Sequence, residues 1–245
     1  MALPEIVKLV EQPGYILLEI SGYRIWWPQE YDYGALSTIW QEIFLPPAEN
    51  DHAYEYSGSC IKEGDWVIDV GASEGFFTYY ALERGAGVLA IEPVYNLAKC
   101  LEMTFAAEIF QEKVNVLRAL IGMDSGQTNL AVAPWSVCGS TKLENRPPGN
   151  WVSEKCPQYT IDQLLASGVI PRADFIKMDI EGSEVEALYG AAQTIKKFKP
   201  RLAICAYHHA DHARQLQEII LSYRPDYQIN IKGKSNTQPT LVHAY

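Results

Sequence analysis

Residues 66–70 (Trp-Val-Ile-Asp-Val) run directly into Gly71-Ala72-Ser73-Glu74-Gly75, and a helix-forming stretch, 75–84, begins there and stops before Gly85. A strand, a glycine loop and a helix in immediate succession constrain this fold more than any other feature. So short a loop folds the helix back onto its own strand and brings the next strand in parallel. The pattern then repeats. A β-rich run at 88–91 precedes an amphipathic stretch at 94–110, and strands are predicted at 114–121, 175–179 and 202–206. Between the last two, residues 183–199 read as one helix. Ser183 and Glu186 match a capping box, Val185, Leu188, Ala192 and Ile195 share a face, and Lys196, Lys197 and Lys199 crowd the negative end. A final helix is predicted at 211–222, with Asp211 as its N-cap. Strands at 227–231 and 240–244 flank a Gly-Lys-Ser-Asn turn region with no helix between them, so they should pair as an antiparallel hairpin.

The expected architecture is therefore α/β: a seven-stranded, mostly parallel sheet with helices on both faces and an antiparallel edge. That is the class I methyltransferase (Rossmann-like) plan; a dinucleotide dehydrogenase would continue with parallel units. In the loop, Gly71 permits a tight turn and close approach to a ligand, and Gly75 lets the helix start near the strand. The helix N-terminus offers free N–H groups, and Asp69 at the strand end would serve an ammonium or hydroxyl rather than a phosphate. Glu92 closes the second strand, which Pro93 terminates, and an acid there suits a ribose diol. Adenosylmethionine and NAD both carry that diol. Asp69 and a loop that is not G-x-G-x-x-G favour adenosylmethionine.

Further residues align with one family. Glu42-Ile43-Phe44, Tyr54, Gly64-Asp65, Asp69–Ala72, Gly85-Ala86, Ala90–Pro93 and Thr160-Ile161-Asp162 resemble FkbM methyltransferases. So do the block from Asp174 to Glu184 (DFIKMDIEGSE), then Leu188, Gly190-Ala191, Lys199-Pro200, Tyr207-His208 and Asp211. The resemblance spans roughly residues 42–245. It implies S-adenosyl-L-methionine as cofactor and O-methylation of a hydroxyl on a natural product or sugar. By the same resemblance Asp69, Gly71, Ala72, Ser73, Glu74 and Gly75 form the methionine-side loop, Glu92 with Pro93 the ribose side, and Ala119-Leu120 the adenine side. Two departures stand out: Ser73 where the family often has Asn, and Thr104–Ala107 where it has an Asn-containing helix end.

Lys177, Asp179 and Glu181 alternate along the fourth strand and its exit. Asp179 is the one expected to project into the cleft, with Lys177 and Glu181 structural. Asp179 and His208, at the ends of neighbouring strands, are the candidate catalytic pair, His208 as general base and Asp179 as its orienter or the hydroxyl's partner. His208 and His212 are spaced i, i+4 beside Asp211, but a strand end and a helix start would separate their rings, so no metal site is expected.

The five cysteines contain no C-x-x-C pair and read as small buried thiols in a reducing compartment. The N-terminal stretch is interrupted by Pro4, Glu5, Lys8 and Glu11, and no run approaches a membrane span, so a cytoplasmic protein is expected. A formal charge of −10 argues against nucleic acid or an anionic membrane as partner and leaves a small-molecule acceptor. Residues 1–60, with Trp26, Trp27, Tyr31, Tyr33 and Trp40, are expected to cap a catalytic domain at 61–245. For that cap, and for the proline-rich 123–159, core cover and pocket wall are both open readings. The rival functions are an NAD-dependent oxidoreductase and a non-catalytic adenosylmethionine-binding domain.

Overall fold

The computed structural model describes residues 3–133, 139–140, 150–235 and 238–245. Cys138, Pro134, Pro147, Pro148 and Asn236, singled out in the sequence, lie outside the described residues. The chain opens with an antiparallel meander, β1 (Ile6–Gln12), β2 (Tyr15–Ile20) and β3 (Tyr23–Pro28), followed by α1 (Leu36–Phe44). Then come β4 (Trp66–Val70), α2 (Phe76–Glu83), β5 (Gly87–Ile91), α3 (Tyr95–Thr104), α4 (Ala106–Phe110) and β6 (Val114–Leu117). A second small sheet is built from β7 (Leu120–Ile121), β8 (Gly126–Val132), β9 (Gly139–Ser140) and β10 (Val152–Tyr159), in the order β7-β10-β8-β9. The chain closes with α5 (Ile161–Ala166), β11 (Phe175–Met178), α6 (Glu184–Tyr189), α7 (Ala192–Phe198), β12 (Arg201–Cys205), α8 (His212–Tyr223), β13 (Ile229–Ser235) and β14 (Gln238–Ala244).

The main sheet has seven strands in the order β13-β14-β12-β11-β4-β5-β6. Its five central strands, from β12 to β6, pair in parallel with their neighbours, and β14 runs antiparallel to both β12 and β13. This is the expected α/β plan with its reversed edge. Side chains alternate across it. Val67, Val88, Phe175 and Ala203 face a core shared with α2, α3 and the N-terminal meander. Ile68, Leu89, Ile176 and Leu202 face the core under α5 to α8. The chain leaves β4 in one direction toward β6 and later returns on the other side to β11. That switch point lies between β4 and β11, where an open α/β sheet leaves a crevice at its carboxyl ends. No helix among the described residues is long and apolar enough to cross a membrane.

Three expected elements break in two, each for a packing reason. The 94–110 stretch divides at Phe105, whose wholly buried ring lies where a Cβ on Gly75 would stand 2.8 Å away. The 114–121 run ends its main-sheet pairing at Leu117, and Leu120–Ile121 pairs instead with β10. The 183–199 helix divides at Gly190-Ala191, because a Cβ at Gly190 would sit 2.1 Å from the Gly122 carbonyl and the backbones can meet only there. Ser183 makes no capping hydrogen bond; the Glu184 carboxylate accepts from Ile180 N at 2.9 Å in its place. Asp211 does hold the N-cap position of α8, without a side-chain cap bond.

The meander is part of the core. Ile16, Leu18, Ile25 and Trp27 belong to the same buried cluster as Phe76 and Val88. Trp27→Ala, at a side chain 1% exposed, should therefore cost about 3–5 kcal/mol. Urea unfolding should show one transition shifted as a whole; an unchanged midpoint would mean that the meander adds nothing to the main core.

Candidate active site

A cavity of about 260 Å³ opens at the carboxyl ends of β4, β5 and β11. Gly71, Ala72, Ser73 and Glu74 line it, as do Glu92 and Pro93, Ala119 and Leu120, and Asp179. Nine of the twelve residues singled out from the sequence thus meet around one space; Asp69, Gly75 and His208 are not among its lining.

Asp69 is fully buried beneath the loop. Its Oδ1 lies 3.1 Å from Lys177 Nζ, and its Oδ2 accepts from the Thr78 hydroxyl at 2.8 Å. Lys177 also donates to the Gly71 carbonyl at 2.5 Å. Burial alone would lower the Lys177 pKa, but the Asp69 and Asp179 carboxylates raise it above its ordinary value. Asp69 is therefore held by Lys177 and Thr78 and does not itself line the cavity. The two glycines have further reasons to be glycine. A Cβ on Gly71, at φ +80, would stand 2.0 Å from the Asp179 carbonyl, so glycine here lets the β4 and β11 exits touch. A Cβ on Gly75, at φ +89, would meet Leu101 and Phe105, so glycine there seats α2 on α3.

Ser73 has φ +46, a conformation in which Asn is favoured among side-chain residues, which gives a backbone reason for the family's frequent Asn. Its N–H donates to Glu92 Oε2 at 3.0 Å, and Val94 N–H donates to Glu92 Oε1 at 2.8 Å. Each carboxylate oxygen keeps a second lone pair for a ligand hydroxyl. Burial pushes both Glu92 and its neighbour Glu74 up to about 7. Thr104, by contrast, does not line the cavity; its hydroxyl accepts from Trp26 N–H at 2.9 Å and ties α3 to the meander.

On the opposite wall, Asp179 accepts from Tyr54 OH at 3.2 Å and from Tyr207 OH at 2.9 Å. Burial would raise the Asp179 pKa, but Lys177, His52 and His208 together with the Tyr207 hydrogen bond hold it below the ordinary carboxylate range. Burial and the same carboxylate push both phenols upward, so each stays a donor. His52 also lines this wall, its Nδ1 3.6 Å from Glu42 Oε2 and its Nε2 3.5 Å from Cys205 Sγ. Sequence reasoning missed His52 altogether, and Glu42, Tyr54 and Tyr207 carried only the resemblance. Nothing local marks His52; it reaches the site because the segment after α1 lies across the end of the sheet. α1 contributes Ile39, Glu42 and Ile43 to the wall, whereas Trp26, Trp27 and Trp40 do not line it.

His208 is turned away from the cavity. Its ring is 6% exposed, with Nδ1 3.2 Å from Glu184 Oε1 and Nε2 3.8 Å from Asp179 Oδ1 and 3.6 Å from Glu181 Oε2. His212, separated from it in the sequence reading, is brought to the same carboxylate, its Nδ1 3.7 Å from Glu184 Oε2.

The FkbM methyltransferase domain family matches residues 69–227. Among solved structures, the FkbM methyltransferase of Methylobacillus flagellatus KT is 26% identical with a TM-score of 0.57, over 76% of this chain and 44% of that one. The chain thus spans less than half the length of that protein. Precorrin-6y C5,15-methyltransferase of Geobacter metallireducens GS-15 is 12% identical (TM-score 0.46; 77% and 84% covered). A SAM-dependent methyltransferase of Aquifex aeolicus is 16% identical (TM-score 0.44; 87% and 93% covered). No curated protein matches the chain.

Replacing Lys177 by Met leaves the Asp69 carboxylate buried and without its cation. Breaking one side of such a pair costs about 3–5 kcal/mol, whereas removing both charges together can be close to neutral. Urea denaturation should therefore show Lys177→Met strongly destabilised and the double variant Asp69→Asn/Lys177→Met largely restored. Equal losses in the two would mean that the pair is not coupled.

Proposed function

Because the chain belongs to the FkbM methyltransferase family, whose cofactor is S-adenosyl-L-methionine, we propose that it methylates a hydroxyl group of a small molecule, such as a natural product or sugar. Adenosylmethionine would lie along the Gly71–Glu74 loop with its ribose on Glu92 and its adenine toward Ala119 and Leu120. The observation that carries the reading is the polar wall facing that loop, in which Asp179, held by two tyrosines, stands beside His52. One donor atom from each lies within 4.8 Å of the other, a gap that a single hydroxyl oxygen bridges with two ordinary hydrogen bonds. In-line displacement on a sulfonium needs the acceptor positioned and its proton removed. Asp179 would orient the hydroxyl and His52 would take the proton. His208, the base favoured from sequence, would act only from behind Asp179. The cavity of about 260 Å³ and the −10 charge favour a small acceptor over nucleic acid.

Two measurements test this. Glu92→Ala should weaken adenosylmethionine binding about 10- to 150-fold in calorimetry, the equivalent of about 1.5–3 kcal/mol for a charged acceptor. In the wild type the ionised carboxylate is the better acceptor. With Glu92 raised to about 7, affinity should fall as pH drops through that value, about tenfold between pH 8 and pH 6. Unchanged affinity in the variant would remove Glu92 from the site.

For the acceptor half, a panel of hydroxyl compounds should yield an O-methyl product identified by NMR. His52→Ala should then lower turnover about 10²- to 10⁴-fold with cofactor affinity retained, and Asp179→Asn should raise KM and lower kcat together. Methylation on nitrogen or carbon, or full turnover in His52→Ala, would overturn the assignment; cofactor binding with no turnover on any acceptor would favour a binding domain.

A further inference from the structure

Behind the acceptor wall lies a second cluster of buried polar groups that methyl transfer does not use. Glu184 opens α6 with a side chain that is 0% exposed, His208 follows β12 at 6%, and His212 opens α8 at 3%. Each offers one donor atom, and the three lie within 4.8 Å of one another. They do not satisfy each other. Glu184 Oε2, both nitrogens of His208 and His212 Nδ1 are buried without a hydrogen-bond partner. Leaving several such groups unsatisfied in one spot is costly, and buried polar atoms that converge without pairing need a shared partner.

We infer that Glu184, His208 and His212 form a binding site for a divalent transition-metal ion of the zinc type. The donor set, two imidazoles and one carboxylate, is one that zinc accepts with a fourth position left for water. The spacing allows it. Metal–donor bonds of about 2.0–2.1 Å in a tetrahedron put donor atoms about 3.3–3.4 Å apart; the two imidazoles lie on opposite oxygens of the Glu184 carboxylate, His208 Nδ1 3.2 Å from Oε1 and His212 Nδ1 3.7 Å from Oε2, and Oε2 is the oxygen left without a partner. The outer groups fit as well. With Nδ1 on the metal, the opposite nitrogen of His208 faces Glu181 Oε2 at 3.6 Å and Asp179 Oδ1 at 3.8 Å. Carboxylates placed on that side commonly fix a ligating imidazole's orientation. Glu184 Oε1 is steadied by the Ile180 N–H at 2.9 Å. The fold supplies the three ligands from separate places, since His208 lies in the loop after β12 while Glu184 and His212 start two neighbouring helices. The site shares no ligand with the proposed methyl acceptor site, and its existence does not depend on the acceptor's identity.

The test uses the full chain, stripped with a chelator and titrated with Zn²⁺ or Co²⁺ while competing against a chromophoric chelator. One ion per chain with a submicromolar Kd is expected, and Co²⁺ should give the intense visible bands of a four-coordinate site. His208→Ala and His212→Ala should each weaken binding at least 100-fold while adenosylmethionine calorimetry shows the variants still folded. His52→Ala should leave metal affinity unchanged. If the wild type takes up no stoichiometric metal, the cluster is a histidine–carboxylate network without an ion and the inference fails. It fails equally if His208→Ala and His212→Ala bind as the wild type does, or if His52→Ala is the variant that loses the ion, which would move the site to His52, Asp179 and Cys205.

Discussion

Lys177 and Asp69 stand opposite one another in register on the two central strands, β11 and β4, and point to the face covered by α2. Neither could be buried there alone, since a lone charge taken out of water is penalised by several kcal/mol even after relaxation. Together they do more than neutralise each other. An ammonium has three donors, and Lys177 directs the others at the carbonyls of Gly71 and Val70. The loop is thus pinned from beneath by a charge, while Gly71 N and Ala72 N are held from the side by the Ile91 carbonyl. The buried pair thus works together with those backbone bonds to hold the loop that carries Ser73 against Glu92 and Gly71 against Asp179.

The same pairing sets the character of the cavity. Its lining carries Glu42, Glu74, Glu92, Asp179 and Glu181 against a single ammonium, Lys177, whose hydrogen bonds run to the protein. A sulfonium placed there, as proposed, would be attracted in a medium of low effective dielectric. After methyl transfer the thioether would be neutral and that attraction gone.

Most of the architecture was legible because it rests on local pattern. The strand–glycine loop–helix unit, the parallel rhythm and the reversed tail all depend on neighbours in sequence, and so does the position of Glu92 at a strand end. What could not be read was decided at a distance. Whether 94–110 is one helix or two depends on a ring fitting under Gly75, and whether 183–199 breaks depends on the Gly122 carbonyl. Asp69 looked like a ligand contact because strand ends usually point at ligands. Its partners, Lys177 and Thr78, come from elsewhere in the chain, and only the fold shows that they occupy it. His52 was invisible for the same reason.

The exchange of His208 for Tyr207 at the acceptor wall has a simpler cause. Neighbouring residues of an extended segment point opposite ways, so of two consecutive side chains leaving β12 only one can face the cavity. The phenol of Tyr207 reaches Asp179 at 2.9 Å, and the imidazole of His208 is turned back onto Glu184. Choosing His208 by its pKa ignored that alternation. Asp179 and Glu181 consequently have the cavity on one side and His208 on the other. The imidazole of His208 is thus close enough to both carboxylates for its charge to be felt at the cavity, although no hydrogen bond joins them.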